Sequence, residues 1–367
     1  MRSPPRFLVR VNIRSHLSLF KGSFILNPMC LRKLPKVELH RHLELSLRHE
    51  TIRELAPKVG IEVPTPKDFA QRFLITEPMT NLGAVLNKFL DTQILLNSSE
   101  VLERISYEAC VDAYNKEGIH LLELRYSPTF VRQGHEHMSF QQIHEAIVAG
   151  VEKAKKEVPL AVGLICIIQR ILPVKEAESV TQFAIDNIKT FVGLDLADNE
   201  EGFDSKPFAS FFYRAAESGL GITVHSGEAN LPQAPSYVKE AIDHLGATRI
   251  GHGVQIYRDK EIMEYVKQKN VTLELCLTSN YLTQAVASVE AHPFRQLMEA
   301  GVRTTINSDD PGIFNIDLVN EYQLLEKHFA FTEKEFNRCN DFAAQASFIP
   351  HREKQQAWVR PIDPLEV

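Results

Sequence analysis

Two histidines one residue apart are the first residues in the chain whose spacing points to chemistry. His40 and His42 close an apolar segment that begins at Val37. Successive side chains of a β-strand point to opposite faces, so both imidazoles would share one face and could reach one divalent metal. The spacing alone is a weak signal, because the chain has 14 histidines and chance pairs are common. Its meaning depends on residues further along the chain.

Three later apolar segments also end in polar clusters. These are His225-Ser226-Gly227-Glu228, Ile250-Gly251-His252-Gly253 and Asn307-Ser308-Asp309-Asp310-Pro311. Three imidazoles and one carboxylate form a set that zinc accepts, with one position open for water. Iron(II), cobalt or manganese could occupy the same donors. We therefore assign one metal, with zinc as first choice, to His40, His42, His225 and Asp309.

Each of these residues also has an ordinary structural explanation. His252 could be a core histidine, Glu228 a surface acid, and Asp309-Asp310-Pro311 a helix cap and first turn. Each explanation is favoured singly, but together they do not account for four clusters at four strand ends. We expect Glu228 to transfer protons, and His252 to polarise or deprotonate a metal-bound water.

The elements that must position these residues alternate along the chain. Eight apolar segments are strand candidates: 37–43, 121–126, 160–168, 191–196, 221–225, 248–251, 271–277 and 302–306. Amphipathic segments separate or follow them, and the helix candidates are 139–157, 175–190, 206–219, 234–246, 258–269, 293–300 and 317–330. Alternating strands and helices imply a parallel sheet.

Eight such units predict an α/β fold, a (β/α)₈ TIM-type barrel with its active site at the C-terminal ends of the strands. Extra helices are predicted after the first strand, over 82–90 with Asn81 as cap and over 99–117. An open doubly wound sheet is the alternative, but no G-x-G-x-x-G motif follows an early strand. We predict one barrel over 34–350, an N-terminal extension over 1–33 that is disordered or an over-long assigned start, and a tail over 351–367.

Composition excludes several other classes of protein. The formal net charge of −6 gives no basic surface for nucleic acid. No apolar run reaches the ~18 residues of a membrane span. The five cysteines are scattered, which is typical of reduced thiols in a cytoplasmic protein. The oligomeric state is left open.

Six ordered motifs resemble the adenosine deaminase family of the metal-dependent amidohydrolase superfamily. They span 35–43, 123–128, 192–197, 225–228, 250–253 and 307–311, so that the resemblance covers about residues 34–345. It implies a barrel with one zinc and hydrolytic deamination at C6 of a purine. Adenosine or deoxyadenosine is the expected substrate, and inosine or deoxyinosine plus ammonia the products.

The resemblance also implies residue roles. Glu228 is expected to protonate the ring nitrogen next to C6, which requires a raised pKa. His252 and Asp309 are expected to orient the attacking oxygen, and Asp310 to bond the imidazole-ring nitrogen of the purine. Gly227, within the His225–Glu228 motif, is included among the substrate-binding residues.

Two departures from the family pattern concern the sugar. Glu44 and Leu45 replace an Asp-Gly pair whose acid is expected to bond the ribose 5′-hydroxyl. Asp198 stands where a glycine usually presents its backbone N–H to purine N3. A related group of adenine deaminases carries the same glutamate, whereas Arg125-Tyr126-Ser127-Pro128 is similar to the adenosine-specific branch.

Three alternatives to adenosine deamination are therefore compatible with the sequence. The first is an enzyme for adenine or for a 5′-modified adenosine. The second is a catalytically inactive purine-binding barrel, which the presence of every expected ligand and proton-handling residue disfavours. The third is a two-metal hydrolase of the wider superfamily, which would need a bridging lysine that segment 191–198 lacks.

Overall fold

Eight parallel strands form the centre of the molecule. The computed structural model describes residues 28–79, 85–86 and 88–362. Each strand pairs with the next in chain order. The strands are β1 Lys36–His42, β2 Ile119–Tyr126, β3 Ala161–Gln169, β4 Phe191–Ala197, β5 Gly221–Ser226, β6 Arg249–His252, β7 Thr272–Leu275 and β8 Arg303–Ile306. All eight predicted strands are present, and the predicted TIM-type barrel is confirmed.

Residues just beyond β8 close the barrel against β1. Asp309 forms a parallel bridge with Arg41. The Asp309 N–H donates to the His40 carbonyl at 2.9 Å, and the His42 N–H donates to the Asp309 carbonyl at 2.9 Å. The backbone that closes the barrel therefore also fixes three of the predicted metal ligands relative to one another.

Helices surround the barrel and alternate with the strands as predicted. The predicted segment 206–219 is divided into a short 3₁₀ turn and a helix, and the other six match observed helices within a few residues. The α-helices are Pro28–Lys33, His49–Leu55, Pro66–Phe73, Leu90–Gln93, Ser99–Glu117, Pro128–Arg132, Phe140–Lys155, Val174–Asp186, Ala209–Glu217, Ala234–Leu245, Lys260–Gln268, Leu277–Leu282, Phe294–Glu299, Pro311–Phe314, Leu318–Phe329, Glu333–Ala346 and His351–Ala357. None of the described helices is long and apolar enough to cross a membrane.

Extra helices lie between β1 and β2, as predicted. The longest of them, Ser99–Glu117, begins where the Ser98 hydroxyl accepts the Val101 N–H and ends at Gly118, whose φ is 74°. Asn81, residues 82–84 and residue 87 lie outside the described residues, so the predicted helix 82–90 is not tested over that part.

Both ends of the described chain pack against the barrel. Leu31, in the helix Pro28–Lys33, is buried. Trp358, just after the helix His351–Ala357, is buried in a cluster that includes Val37 and Leu121. Residues on both sides of the predicted barrel, 34–350, therefore contribute to its core. The domain boundaries at 34 and 350 remain a prediction.

Alternation along β2 separates two environments. Leu122 and Leu124 are buried in the large apolar cluster that also includes the surrounding helices. Arg125 points to the opposite face, where its guanidinium contacts residues of β1, β4 and β7. Contacts with three separate strands place this charged side chain inside the barrel, directly beneath the candidate site.

Candidate active site

The four strand ends that carry the predicted clusters converge on one point. His42 Nε2 lies 3.2 Å from His225 Nε2. Asp309 Oδ1 lies 3.2 Å from His40 Nε2 and 3.4 Å from His42 Nε2. Each of the four residues predicted as metal ligands therefore has a donor atom within 3.4 Å of a donor atom of another. His252 also belongs to the cluster, because ligand atoms of His40, His225, His252 and Asp309 all lie within 4.8 Å of one another.

Two buried carboxylates orient two of these imidazoles. His40 Nδ1 lies 2.7 Å from Glu274 Oε2, and His225 Nδ1 lies 2.9 Å from Asp195 Oδ2. A carboxylate accepts a proton-bearing Nδ1, so the lone pair of each ring is left on Nε2. Both Nε2 atoms point into the cluster, which is the tautomer that a metal ligand requires.

Arg125 joins the two carboxylates beneath the cluster. Its guanidinium donates to Asp195 at 2.9 Å and to Glu274 at 2.7 Å, while Arg249 donates to Glu274 at 2.6 Å. Burial raises the pKa of both carboxyls, but the neighbouring cations more than offset it. The pKa of Asp195 and of Glu274 is therefore lowered, and both carboxyls stay ionised.

The sequence motifs assign no role to the side chains of Arg125, Asp195 or Glu274. Glu274 lies within a segment whose composition predicts only an apolar strand. An acid in the middle of such a strand is the available signal, because a buried carboxylate needs a charged or hydrogen-bonding partner. Which partner it has depends on strands far apart in sequence.

Glu228 lies on the loop after β5, beside His252. Its Oε2 is 3.5 Å from His252 Nε2. Burial, with the nearby charges of Asp309 and Glu200, raises the pKa of Glu228 to about 8. The carboxyl is therefore protonated at neutral pH and suited to donate a proton.

Glu200 fixes the loop that carries Glu228. It accepts the backbone N–H groups of Gly227, Glu228 and Ala229 at 2.8, 2.7 and 2.6 Å. Gly227 has a φ of 67°, and a Cβ there would approach Val238 to 2.5 Å. Glycine is thus required by the turn. Its N–H is directed at Glu200, and Gly227 is not among the described residues that line the cavity.

His252 is held by a side-chain amide. Asn280 Nδ2 donates to His252 Nδ1 at 3.1 Å, and Asn280 is itself contacted by His292 at 3.1 Å. The proton of the neutral His252 ring therefore lies on Nε2, which faces Glu228 and Asp309. Burial and the neighbouring imidazoles lower the pKa of His252 well below its usual value, so the ring is neutral.

Asp310, the second of the two aspartates after β8, does not cap the helix that follows it. Asp310 precedes the short helix Pro311–Phe314 but makes no side-chain capping bond there. Its Oδ1 is buried without a hydrogen-bond partner among the described residues. Burial and the charges of Asp309, Glu44 and Glu228 raise the pKa of Asp310 well above its usual value. Asp310 is therefore available as a hydrogen-bond donor.

Two adjoining chambers open from this cluster, and His42, Leu86, Phe89 and Asp198 line both. The metal-side chamber is lined by His42, His225, Glu228, His252, Asp309 and Asp310. The side chamber is lined by Glu44, Leu45, Phe89, Phe130, Ile167 and Gln169. Larger grooves elsewhere carry charges that are paired with each other, such as Arg48 with Asp112 and Arg360 with Asp341.

Two predicted sugar-side residues line the side chamber. Glu44 Oε1 accepts the Ser127 N–H at 2.6 Å, whereas its Oε2 is buried without a partner among the described residues. Burial raises the pKa of Glu44 to about 8. Asp198 has a φ of 84°, and its carboxylate is bonded to the Asn199 N–H and to Gln169.

The fold and this site define a class of protein, the (β/α)₈ enzymes with a metal-binding type of cluster at the C-terminal ends of the strands. A family model described as "Adenosine deaminase" matches residues 35–360. The chain therefore belongs to the adenosine deaminase family. It is an enzyme, a hydrolytic deaminase that acts on aminopurines.

Individual relatives agree with this assignment. The adenosine deaminase of Yersinia enterocolitica is 34% identical, over 88% of this chain and 96% of the relative. That of Plasmodium falciparum is also 34% identical, over 87% of this chain and 86% of the relative. Among solved structures, the N6-methyl-AMP deaminase of Arabidopsis thaliana superposes with a TM-score of 0.78 at 27% identity, covering 90% of this chain and 97% of that one.

Proposed function

We propose that this protein is a zinc-dependent aminohydrolase that converts adenosine or deoxyadenosine to inosine or deoxyinosine plus ammonia. The observation that carries the proposal is the joint placement of a four-donor cluster and protonated Glu228 and Asp310 around one chamber. Such a chamber can supply a nucleophile and a proton to the same purine ring. The two relatives named adenosine deaminase, each 34% identical to this chain, support the choice of a nucleoside substrate.

One zinc ion held by His40, His42, His225 and Asp309 fits the residues present. His40 Nε2 is buried and has no hydrogen-bond partner among the described residues, although Asp309 Oδ1 lies 3.2 Å away. The Nδ1 atoms of His40 and His225 are already occupied by carboxylates. A zinc ion in such a set lowers the pKa of a water ligand and so supplies a nucleophile at neutral pH.

The surrounding side chains then have distinct roles in the proposed reaction. Protonated Glu228 donates to the ring nitrogen next to C6, which makes that carbon electrophilic. The Nε2–H of His252 donates to the attacking oxygen and, with Asp309, orients it. Protonated Asp310 donates to the imidazole-ring nitrogen, an acceptor that purines have and pyrimidines lack.

A nucleoside suits the cavity better than a nucleotide. No lysine or arginine is among the described residues lining either chamber. Asp198 lines both chambers instead, and its carboxylate would repel a phosphate group. Burial raises the pKa of Glu44 to about 8, so its free Oε2 can carry the proton and donate a hydrogen bond to a 5′-hydroxyl oxygen. The Arabidopsis relative, whose name gives a nucleotide substrate, would therefore differ in specificity.

A 5′-modified adenosine is the second candidate substrate. Leu45, Phe89, Phe130 and Ile167 give the side chamber an apolar wall that an alkyl group at the 5′ position would contact. Adenine itself is a weaker candidate, because the free base would leave this chamber without a ligand.

The test is a substrate panel with purified, zinc-loaded protein, followed by the change in ultraviolet absorbance. Adenosine and deoxyadenosine should be deaminated, and AMP should have a kcat/KM about 100-fold lower because of charge repulsion. A 5′-alkylthio adenosine tests the second candidate. No turnover of any compound, including adenine, would instead favour an inactive purine-binding barrel. Elemental analysis should find one zinc per chain, and two would contradict the single-metal site.

We also propose a cytoplasmic location and retain the predicted division into an extension, a barrel over 34–350 and a tail. Cys110, Cys166, Cys276 and Cys339 are free and buried, which supports a reducing compartment. Fractionation of cells that express a tagged full-length chain tests the location.

A further inference from the structure

Gln169, at the end of β3, bridges two walls of the side chamber. Its Oε1 accepts the Thr129 hydroxyl at 2.7 Å and has a longer contact of 3.4 Å with the Ser127 hydroxyl. Its Nε2 donates to Asp198 Oδ2 at 3.1 Å. Both ends of the amide are therefore occupied, and its orientation is fixed by its partners.

The partner on the far side is the carboxylate that departs from the family pattern. Asp198 lies just after β4 with a φ of 84°, in the backbone region that favours glycine. Its Oδ1 accepts the Asn199 N–H at 2.7 Å, and its Oδ2 accepts from Gln169. Both oxygens are thus bonded to the protein, although the residue lines both chambers.

We propose that Gln169 is a specificity-determining positioning residue that holds the Asp198 carboxylate against the chamber wall. This inference rests on the proposed nucleoside substrate, because the side chamber is where the sugar would lie. With the carboxylate bonded to Gln169, the space beside Glu44 stays open to the ribose. Without that bond the carboxylate can turn towards the sugar and compete for its position.

The bond acts on binding of the nucleoside and not on the chemical step. Gln169 lines the side chamber only, and Asp198 is not one of the proton-handling residues assigned above. Losing an interaction that is equal in ground and transition states raises KM and leaves kcat unchanged. One such hydrogen bond corresponds to about a tenfold change in affinity.

Gln169→Leu removes both the donor and the acceptor at similar size. KM for adenosine should rise about tenfold, with kcat within about threefold of the parent. Gln169→Glu should raise KM as well, because it places a second carboxylate beside Asp198. Gln268→Leu is the matched control, since Gln268 donates to Glu264 on the exposed helix Lys260–Gln268 and its loss should leave KM unchanged.

A double mutant isolates the role of Asp198. Glycine is compatible with the φ of 84° at this position, so Asp198→Gly removes the carboxylate without adding backbone strain. In the Asp198→Gly background, Gln169→Leu should change KM by less than about twofold. Calorimetric titration with inosine gives a second readout, because the Kd for product should rise in parallel with KM.

Two results would overturn the inference in an active parent enzyme. One is an unchanged KM in both Gln169 variants, and the other is an equal rise in KM with and without the Asp198 carboxylate. A parent enzyme that neither binds inosine nor deaminates adenosine would refute the proposed function, and the inference would fall with it. If the parent enzyme is active and either of the two results is obtained, the inference alone fails and the proposed function stands.

Discussion

Two groups of buried carboxyls in the same barrel have opposite protonation. The floor group, Asp195 and Glu274, lies beneath the metal cluster, and its pKa values are lowered. The cavity group, Glu44, Glu228 and Asp310, faces the chambers, and its pKa values are raised. Both groups are buried, so burial alone does not explain the difference.

Neighbouring basic side chains account for the contrast. His225 and then Arg125 lower the pKa of Asp195, and Arg125 and Arg249 lower that of Glu274. Arg125 and Arg249 contact the floor carboxyls at 2.6 to 2.9 Å. In the described part of the chain, no lysine or arginine forms an ion pair with a carboxyl of the cavity group. The floor carboxyls are consequently anions that orient imidazoles, whereas the cavity carboxyls keep their protons and can donate them. Buried carboxyl groups thus have two uses in this barrel. Ionised ones support the metal cluster, and protonated ones perform the proposed chemistry.

The largest expected effect comes from the cavity group. Glu228→Gln removes the acidic proton and leaves the four proposed ligands intact, so kcat for adenosine should fall by about 10²–10⁴-fold while bound zinc is unchanged. Stopped-flow or steady-state rates and elemental analysis measure the two quantities. Glu264→Gln, at an exposed site, is the control. A near-normal rate in Glu228→Gln would remove Glu228 from its role as proton donor.

Breaking the floor group should cost stability. Arg125→Met leaves Asp195 and Glu274 without a shared buried cation, so the free energy of unfolding should fall by about 3–5 kcal/mol. Urea denaturation of the metal-free chain measures it. Arg214→Met, which removes an exposed pair with Glu178, should cost less than about 1 kcal/mol. Similar losses in the two variants would show that the floor arginine has no special structural importance.

A milder change to the floor should affect metal affinity. Glu274→Gln keeps an acceptor for His40 Nδ1 but removes the negative charge, and zinc affinity should fall by about 10–100-fold. Competition with a chelator measures the affinity. Glu321→Gln is the control, because Glu321 is also buried but is bonded to Thr278, away from the cluster. Equal zinc affinity in both variants would argue against orientation by Glu274.

The smallest expected effect is the change in kcat/KM of the parent enzyme with pH, which tests whether Glu228 is protonated as the comparison of the two carboxyl groups requires. Because the active form of Glu228 is protonated and its pKa is about 8, kcat/KM should be constant below that value and fall about tenfold per pH unit above it. The residual activity of Glu228→Gln should lack this alkaline limb. A parent profile that stays flat to about pH 9 would contradict the assigned proton donor.

Much of the fold was predictable because its signals are local. Apolar segments predicted the eight strands, and helical periodicity predicted most of the helices around them. The helices Glu333–Ala346 and His351–Ala357 were not predicted. Trp358 was assigned to a tail, but it is buried against Val37 and Leu121, a contact that no local pattern indicates.

The candidate site divides in the same way. His40, His42, His225 and Asp309 could be proposed from sequence, because parallel strands place their C-terminal ends at one edge of the barrel. Arg125, Glu274 and Gln169 could not, since each acts through a side chain from another strand or from the loop that follows one. Gly227 was predicted to bind substrate, but its N–H is bonded to Glu200.

The sequence by itself determined the barrel, the family and the residues that can do the proposed chemistry, because residue type and order are sufficient for these. Only the tertiary structure decided which carboxyls are ionised, which ring nitrogen each histidine presents, and where Asp198 is held. Those properties depend on charges and hydrogen-bond partners a few ångströms away in space but distant in the chain. Arg125 is the clearest example, because it forms ion pairs with both floor carboxyls.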